Sequence, residues 1–300
     1  MYLAHYGLRE FPFTLTPDTS YFLASRHHQA ALNTLLVAVD TGEGFIKITG
    51  EVGTGKTLLC RQFLEHLAHN TQARYVTAYI PNPYLTPHSL MLSITDELGL
   101  TVPPNTDQHY LLKAINLGLL EFAKRDKQVV LCLDEAQAMP IETLEALRLL
   151  TNLETEKRKL LQIVLFGQPE LDQKLQNNSI RQLNQRITFH YQLEPLTLSE
   201  LKNYIAHRLQ IAEYQGSPLF ANSALKALHH ASHGIPRLIN ILAHKAMMLS
   251  YGQGIHRIGA RQIHIAANDT PTAQPIRQIS QWIVIALIVA ATTFTWMLVL

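Results

Sequence analysis

Eight consecutive residues, Gly50-Glu51-Val52-Gly53-Thr54-Gly55-Lys56-Thr57, satisfy the pattern G-x-x-x-x-G-K-[ST] at every specified position. Each specified residue type has a job on a nucleotide phosphate. Glycines let backbone N–H groups close around a β-phosphate where side chains would clash. A lysine at position 56 can bridge β- and γ-phosphates, and a hydroxyl at position 57 can hold Mg²⁺. The N–H groups of the helix that should start here, through Leu58, would face the same anion.

Other side chains could complete such a site. Asp134-Glu135 follows the apolar run Val129–Leu133. A carboxylate pair at the C-terminal edge of a parallel strand stands where open α/β sheets bind ligands. Asp134 can hold Mg²⁺ through water, and Glu135 can polarise the attacking water. Gln168 ends the next apolar run, where an amide can sense the γ-phosphate or simply turn the chain before Pro169. Arg181 and Arg186 precede the last predicted strand; either guanidinium could reach a neighbouring subunit's γ-phosphate, or could be a solvated helix end. Arg237, in Gly234-Ile235-Pro236-Arg237, starts a predicted helix with proline in its first turn. Phe11, Phe13 and Tyr21 could enclose an adenine ring, or could pack an N-terminal arm against the core.

The elements that must position these groups follow from periodicity. Gly44–Thr49 reads as a strand, and Leu58–Leu67 has apolar residues at helical spacing. Further strands are expected at 75–80, 129–133, 161–166 and 187–191. Helices are expected at 25–39, 87–98, 108–125, 141–151, 170–175 and 179–184. Apolar strands alternating with helices predict a parallel sheet covered on both faces. From Thr197 the pattern turns helical, at 199–213, 221–231 and 235–250. The expected organisation is an αβα nucleotide-binding domain with an N-terminal arm (1–192), a helical lid (193–268) and a linker (269–281).

Trp282–Leu300 is 19 residues without a charge, enough to span a bilayer core at the short end of the range. Arg257, Arg261 and Arg277 lie upstream and nothing charged follows. The stretch predicts a single C-terminal transmembrane helix, and the positive-inside rule keeps the N-terminal body cytoplasmic.

Composition bounds the partners. The 300 residues carry a formal net charge of +2 and 16% charged residues, so no strong nucleic-acid footprint stands out. The two cysteines, Cys60 and Cys132, read as small buried hydrophobes rather than a disulfide or metal pair.

The segments GEVGTGKT, LCLDEAQ, LFGQPEL, QLNQRI and GIPRLIN, in this order, resemble the AAA+ ATPases of the ExeA/GspA secretion and MshM-like pilus biogenesis family. The opening Tyr6-Gly7-Leu8-x-x-Phe11-Pro12-Phe13, Pro17-Asp18 and Ser25-x-x-His28 is similar to that family's N-terminal signature. The resemblance, over roughly 1–270, implies ATP and Mg²⁺ as cofactors. It implies Walker A at Gly50–Thr57, Walker B at Asp134-Glu135, sensor 1 at Gln168, an arginine finger at Arg186 and sensor 2 at Arg237. It also implies a homo-oligomer working at the inner membrane with pilus or secretion assembly proteins. ExeA-like members carry a peptidoglycan-binding domain beyond their membrane helix; a sequence that stops at Leu300 fits the shorter, MshM-like type. Two further readings compete: a nucleotide-gated scaffold with negligible turnover, and a transposition-helper-like, DNA-associated ATPase. A small-molecule kinase is disfavoured by the lack of an evident acceptor site.

Overall fold

The computed structural model describes residues 2–16, 18–69, 74–151, 153, 154 and 158–273. Its elements, in chain order, are α1 (Tyr2–Tyr6), α2 (Arg26–Asp40), β1 (Phe45–Gly50), α3 (Lys56–Ala68), β2 (Tyr75–Ile80), α4 (Pro87–Glu97), α5 (Gln108–Lys124), β3 (Gln128–Leu133), α6 (Ile141–Leu150), β4 (Leu161–Gly167), α7 (Glu170–Leu175), α8 (Arg181–Asn184) and β5 (Phe189–Leu193). Four more helices follow: α9 (Leu198–Ile211), α10 (Asn222–Ser232), α11 (Pro236–Gly252) and α12 (Ala260–Asn268).

The chain divides into two compact units, an α/β unit within residues 15–196 with 235–237, and a helical unit of residues 2–14, 197–234 and 238–273. In the α/β unit the five strands pair in the order β2-β3-β4-β1-β5, all parallel. Strands β1 and β4 are buried along their whole length. Their apolar runs therefore feed two cores, as the alternation of side chains across a strand requires. Phe45, Leu131, Ile163 and Leu165 pack with Leu90, Ile94, Ile115 and Leu147 on one face. Ile46, Ile48, Val130 and Phe166 pack with Leu35, Leu59 and Phe63 on the other, where Cys60 and Cys132 are also buried as free thiols. Side-chain caps start the helices that flank the sheet: Ser25 accepts from the His28 N–H, Thr86 from Ser89 and Asp107 from Tyr110.

The helical unit opens with residues that the sequence suggested as an arm of the nucleotide domain. Instead, Met1–Thr14 groups with the helices from Thr197 onward. The reason lies in its aromatic residues. Tyr2 hydrogen-bonds His244 at 2.8 Å, Phe11 lies against His244, and Phe13 meets Phe220 edge to face with centroids 5.9 Å apart. A buried polar network closes the contact: Arg208 Nε donates to the Pro12 carbonyl, Tyr204 Oη to Asn240 Oδ1 (2.9 Å), and Asn240 Nδ2 to the Thr14 carbonyl (3.3 Å). Helix α12 and the short α1 were not anticipated. The five residues of α1 are too few for a periodic signal, whereas in α12 the buried Ile263, Ala266 and Ala267 do stand at helical spacing and were overlooked.

One part of the expected fold class is corrected. Among the described residues no helix is long and apolar enough to cross a membrane. The longest, α5 and α11, have 17 residues each and carry Lys113, Glu121 and Lys124, or Arg237 and Lys245. A span needs about 20 predominantly apolar residues. Trp282–Leu300, on which the transmembrane helix was predicted, lies outside the described residues. The described architecture is an α/β P-loop unit with a helical unit, and it contains no transmembrane helix to carry the expected single-span inner-membrane placement.

Candidate nucleotide site

The phosphate-loop segment leaves β1 at Gly50 and enters α3 at Lys56. Gly53 and Gly55 have φ of +84° and +99°, a region that side chains strain to adopt. A Cβ on Gly53 would lie 2.5 Å from Arg237 Cβ, and one on Gly55 would lie 2.8 Å from His28 Nε2. Both positions therefore demand glycine twice over. Gly55 is also the N-cap of α3 and supplies no side-chain cap, so the first-turn N–H groups, Leu58 included, are available to an anion. Within the loop, Thr54 is buried and its hydroxyl donates to the Glu51 carbonyl at 2.8 Å, whereas Val52 is exposed.

Lys56 is buried and its ammonium donates to the carbonyls of Gly50 (2.8 Å) and Glu51 (3.0 Å). Burial pushes its pKa down, while the carboxylates of Glu135, Asp134, Glu51 and Glu170 pull it back up. Thr57 Oγ1 donates to Asp134 Oδ2 at 2.6 Å. Asp134 is 2% exposed, and its other oxygen accepts from the Glu135 N–H at 2.9 Å. Burial raises the Asp134 pKa despite these two hydrogen bonds, with the Glu135 charge adding to the rise. A hydroxyl touching a buried carboxylate that is uneasy in its charged form is chemistry suited to a divalent cation. Among the described residues no three His, Cys, Asp or Glu side chains gather as metal ligands. A cation here would take Thr57, Asp134, water and phosphate oxygens, as Mg²⁺ prefers.

Glu135 stands at φ +53°, in the left-handed region, which costs about 1 kcal/mol or more for a residue with a Cβ. The strain turns its carboxylate towards two amides. Gln137 Nε2 and Gln168 Nε2 both donate to Glu135 Oε2, the latter at 3.0 Å. Gln137 Oε1 in turn accepts from the Gln168 backbone N–H at 3.0 Å. Lys174 of α7 donates to the carbonyls of Gln137 and, at 3.0 Å, Met139. Three of the expected site residues, Asp134, Glu135 and Gln168, are thus linked to one another or to the loop through Thr57. Arg237 is exposed, and its backbone N–H donates to the Gly53 carbonyl at 3.2 Å, within the α/β unit.

Arg186 does not join this group. Its guanidinium donates to the Arg148 carbonyl (3.2 Å) and to Thr151 Oγ1, at the C-terminus of α6, while Arg181 is exposed. The aromatic trio is divided: Phe11 and Phe13 pack in the helical unit, whereas Tyr21 is buried in the α/β unit. Sequence reasoning missed Gln137, whose signal was its spacing of two from Glu135. It also assigned no role to His28, noted only within the N-terminal pattern.

A family model described as an AAA domain matches residues 39–175. General secretion pathway protein A of Aeromonas hydrophila is 42% identical over 269 residues, 90% of this chain. The chain belongs to the ExeA/GspA family of AAA+ ATPases. This family member spans about half of that relative, 48% of its length. Solved structures show the same fold at low identity. The Cdc6p protein of Pyrobaculum aerophilum matches with a TM-score of 0.61 and 18% identity, covering 84% of this chain and 70% of that one. The ORC1 protein of Aeropyrum pernix, in complex with DNA, gives 0.61 and 17%, with 86% and 69% covered. The RuvB Holliday junction branch migration motor of Thermotoga maritima gives 0.55 and 16%, with 86% and 73% covered.

Proposed function

We propose that this chain binds Mg²⁺–ATP at Gly50–Thr57, hydrolyses it, and uses the cycle to drive assembly of a secretion complex as a homo-oligomer. The observation that carries the chemistry is the Thr57–Asp134 contact of 2.6 Å beside the Glu135 carboxylate. In this reading the loop amides and Lys56 hold the phosphates, and Thr57 and Asp134 hold the Mg²⁺ that offsets their charge. Glu135 would accept a proton from the attacking water, and Gln168, whose amide meets the same carboxylate at 3.0 Å, would help to orient it. Arg237, at the start of a helix that continues into the helical unit, reports γ-phosphate loss to that unit. A neighbour's arginine, Arg181 or Arg186, completes the charge neutralisation. The secretion assignment rests on the Aeromonas relative, and the pilus branch of the resemblance has no support from it.

A nucleotide-gated scaffold is the second reading, and the clasp of Glu135 by Gln137 and Gln168 favours it to one extent: the base is engaged by two donors and must be released to act. The test is phosphate release by the purified protein over a range of concentrations, beside Glu135→Gln and an equal mixture of Lys56→Ala with Arg186→Ala or Arg181→Ala. Specific activity that rises with concentration, vanishes in Glu135→Gln and returns in one mixture supports a shared site. Tight ATP binding without any Glu135-dependent release would leave the scaffold.

A further inference from the structure

A phosphate-binding loop turns successive N–H groups inward, so its carbonyls face outward and need partners of their own. The partner of the Thr54 carbonyl comes from outside the loop: His28 Nε2, at 2.9 Å, from the first turn of α2. A carbonyl oxygen only accepts, so Nε2 carries the hydrogen and donates. With the hydrogen of a neutral imidazole on Nε2, Nδ1 accepts from Ser25 Oγ at 2.7 Å, and Ser25 Oγ accepts the His28 backbone N–H at 3.3 Å. The tautomer is fixed by this relay. His28 is 5% exposed and its ring meets Phe22 edge to face, with centroids 5.4 Å apart. Its Nε2 lies 2.8 Å from where a Cβ on Gly55 would be, so the glycine pattern of the loop makes room for the imidazole as well as for a phosphate.

We propose that His28 is a positioning residue for phosphate binding. Its Nε2–H fixes the Thr54–Gly55 peptide plane, and with it the direction in which the Gly55 N–H points. His28 reaches the ligand only through that peptide. The inference rests on the loop's reading as the nucleotide phosphate site. The group it acts on is a β-phosphate, so ATP and ADP should suffer alike when the donor is lost.

The experiment measures binding of ATP and ADP to the full chain by calorimetry, with thermal midpoints taken without nucleotide. The variants are His28→Gln, whose amide nitrogen can stand in for Nε2, His28→Asn, which reaches only the Nδ1 side, and His28→Leu. Loss of one such hydrogen bond predicts roughly tenfold weaker binding of both nucleotides in His28→Asn and His28→Leu. His28→Gln should stay within about threefold of wild type at a midpoint matching His28→Asn. If His28→Leu folds poorly, the Gln/Asn pair decides alone. Equal affinities for that pair, or ADP binding within twofold of wild type in folded His28→Leu, would overturn the inference. Failure of the wild-type chain to bind either nucleotide would sink the underlying site assignment and this inference with it.

Discussion

Asp134→Asn should make the protein more stable and less able to use Mg²⁺–ATP. The wild-type carboxylate is 2% exposed and accepts two hydrogen bonds, from Thr57 Oγ1 (2.6 Å) and the Glu135 N–H (2.9 Å). Hydrogen bonds to a charged acceptor contribute about 1.5–3 kcal/mol each, while removing a carboxylate from water costs several kcal/mol. The raised pKa shows that desolvation wins. Asparagine keeps both contacts, because its carbonyl accepts from Glu135 and its amide donates to the Thr57 hydroxyl, and it removes the buried charge. A net gain of about 1 kcal/mol follows, or about 2–4 °C in the midpoint of a unit this size. The pH dependence has a definite sign. A carboxyl with a raised folded pKa makes its full favourable contribution below the unfolded value, near 4, and loses it as pH rises through the folded pKa. The advantage of the variant should therefore be small near pH 4 and grow towards pH 7. Mg²⁺–ATP at about 100 times its Kd should add about 2.7 kcal/mol to the wild type and little to the variant. Thermal denaturation across pH, with and without Mg²⁺–ATP, reads all of this. An Asp134→Asn chain no more stable than wild type at pH 7 without nucleotide would refute the reasoning.

Two further outcomes follow from charges outside the loop. Lys47 on β1 pairs with Asp172 on α7, with side-chain exposures of 9% and 33%. Asp172→Asn strands a buried ammonium and should cost about 3 kcal/mol, whereas Lys47→Met frees a carboxylate that water can reach and should cost about 1 kcal/mol; urea unfolding that ranks them the other way contradicts this. Arg186→Ala should lose about 1 kcal/mol by uncapping α6, while Arg181→Ala should change stability by less than about 0.5 kcal/mol. Denaturation thus separates the structural arginine from the exposed one before any ATPase assay is read.

The sheet and the loop were legible because their signals are local. The run Phe45–Gly50 carries Phe45, Ile46 and Ile48 where both faces of β1 are buried, and the glycines at 53 and 55 occur where φ is positive. Asp134 could be placed because the strand ending at Leu133 sets it on the ligand edge. What remained hidden depends on contacts far apart in sequence. No spacing tells that Arg186 caps a helix 35 residues upstream at Thr151, or that Phe13 belongs with Phe220. The aromatic residues of the first 14 positions suit an adenine cage and a packed core equally, and tertiary partners decide between them. Gln137 was visible as a letter in LCLDEAQ, but its link to the Gln168 backbone arises only when β3 and β4 lie side by side.

The division of the helical unit into separate stretches of chain sets a clock on its synthesis. Tyr2 and its hydrogen-bond partner His244 are 242 residues apart, and Arg208 and the Pro12 carbonyl 196. At 5–20 residues per second a ribosome needs roughly 10–50 s to join the first pair. Throughout that interval the α/β unit can complete its sheet, while Tyr2, Tyr6, Phe11 and Phe13 wait with their rings unpacked. These residues are made long before their partners, and a chaperone that shields unpacked aromatic side chains would find a long window here.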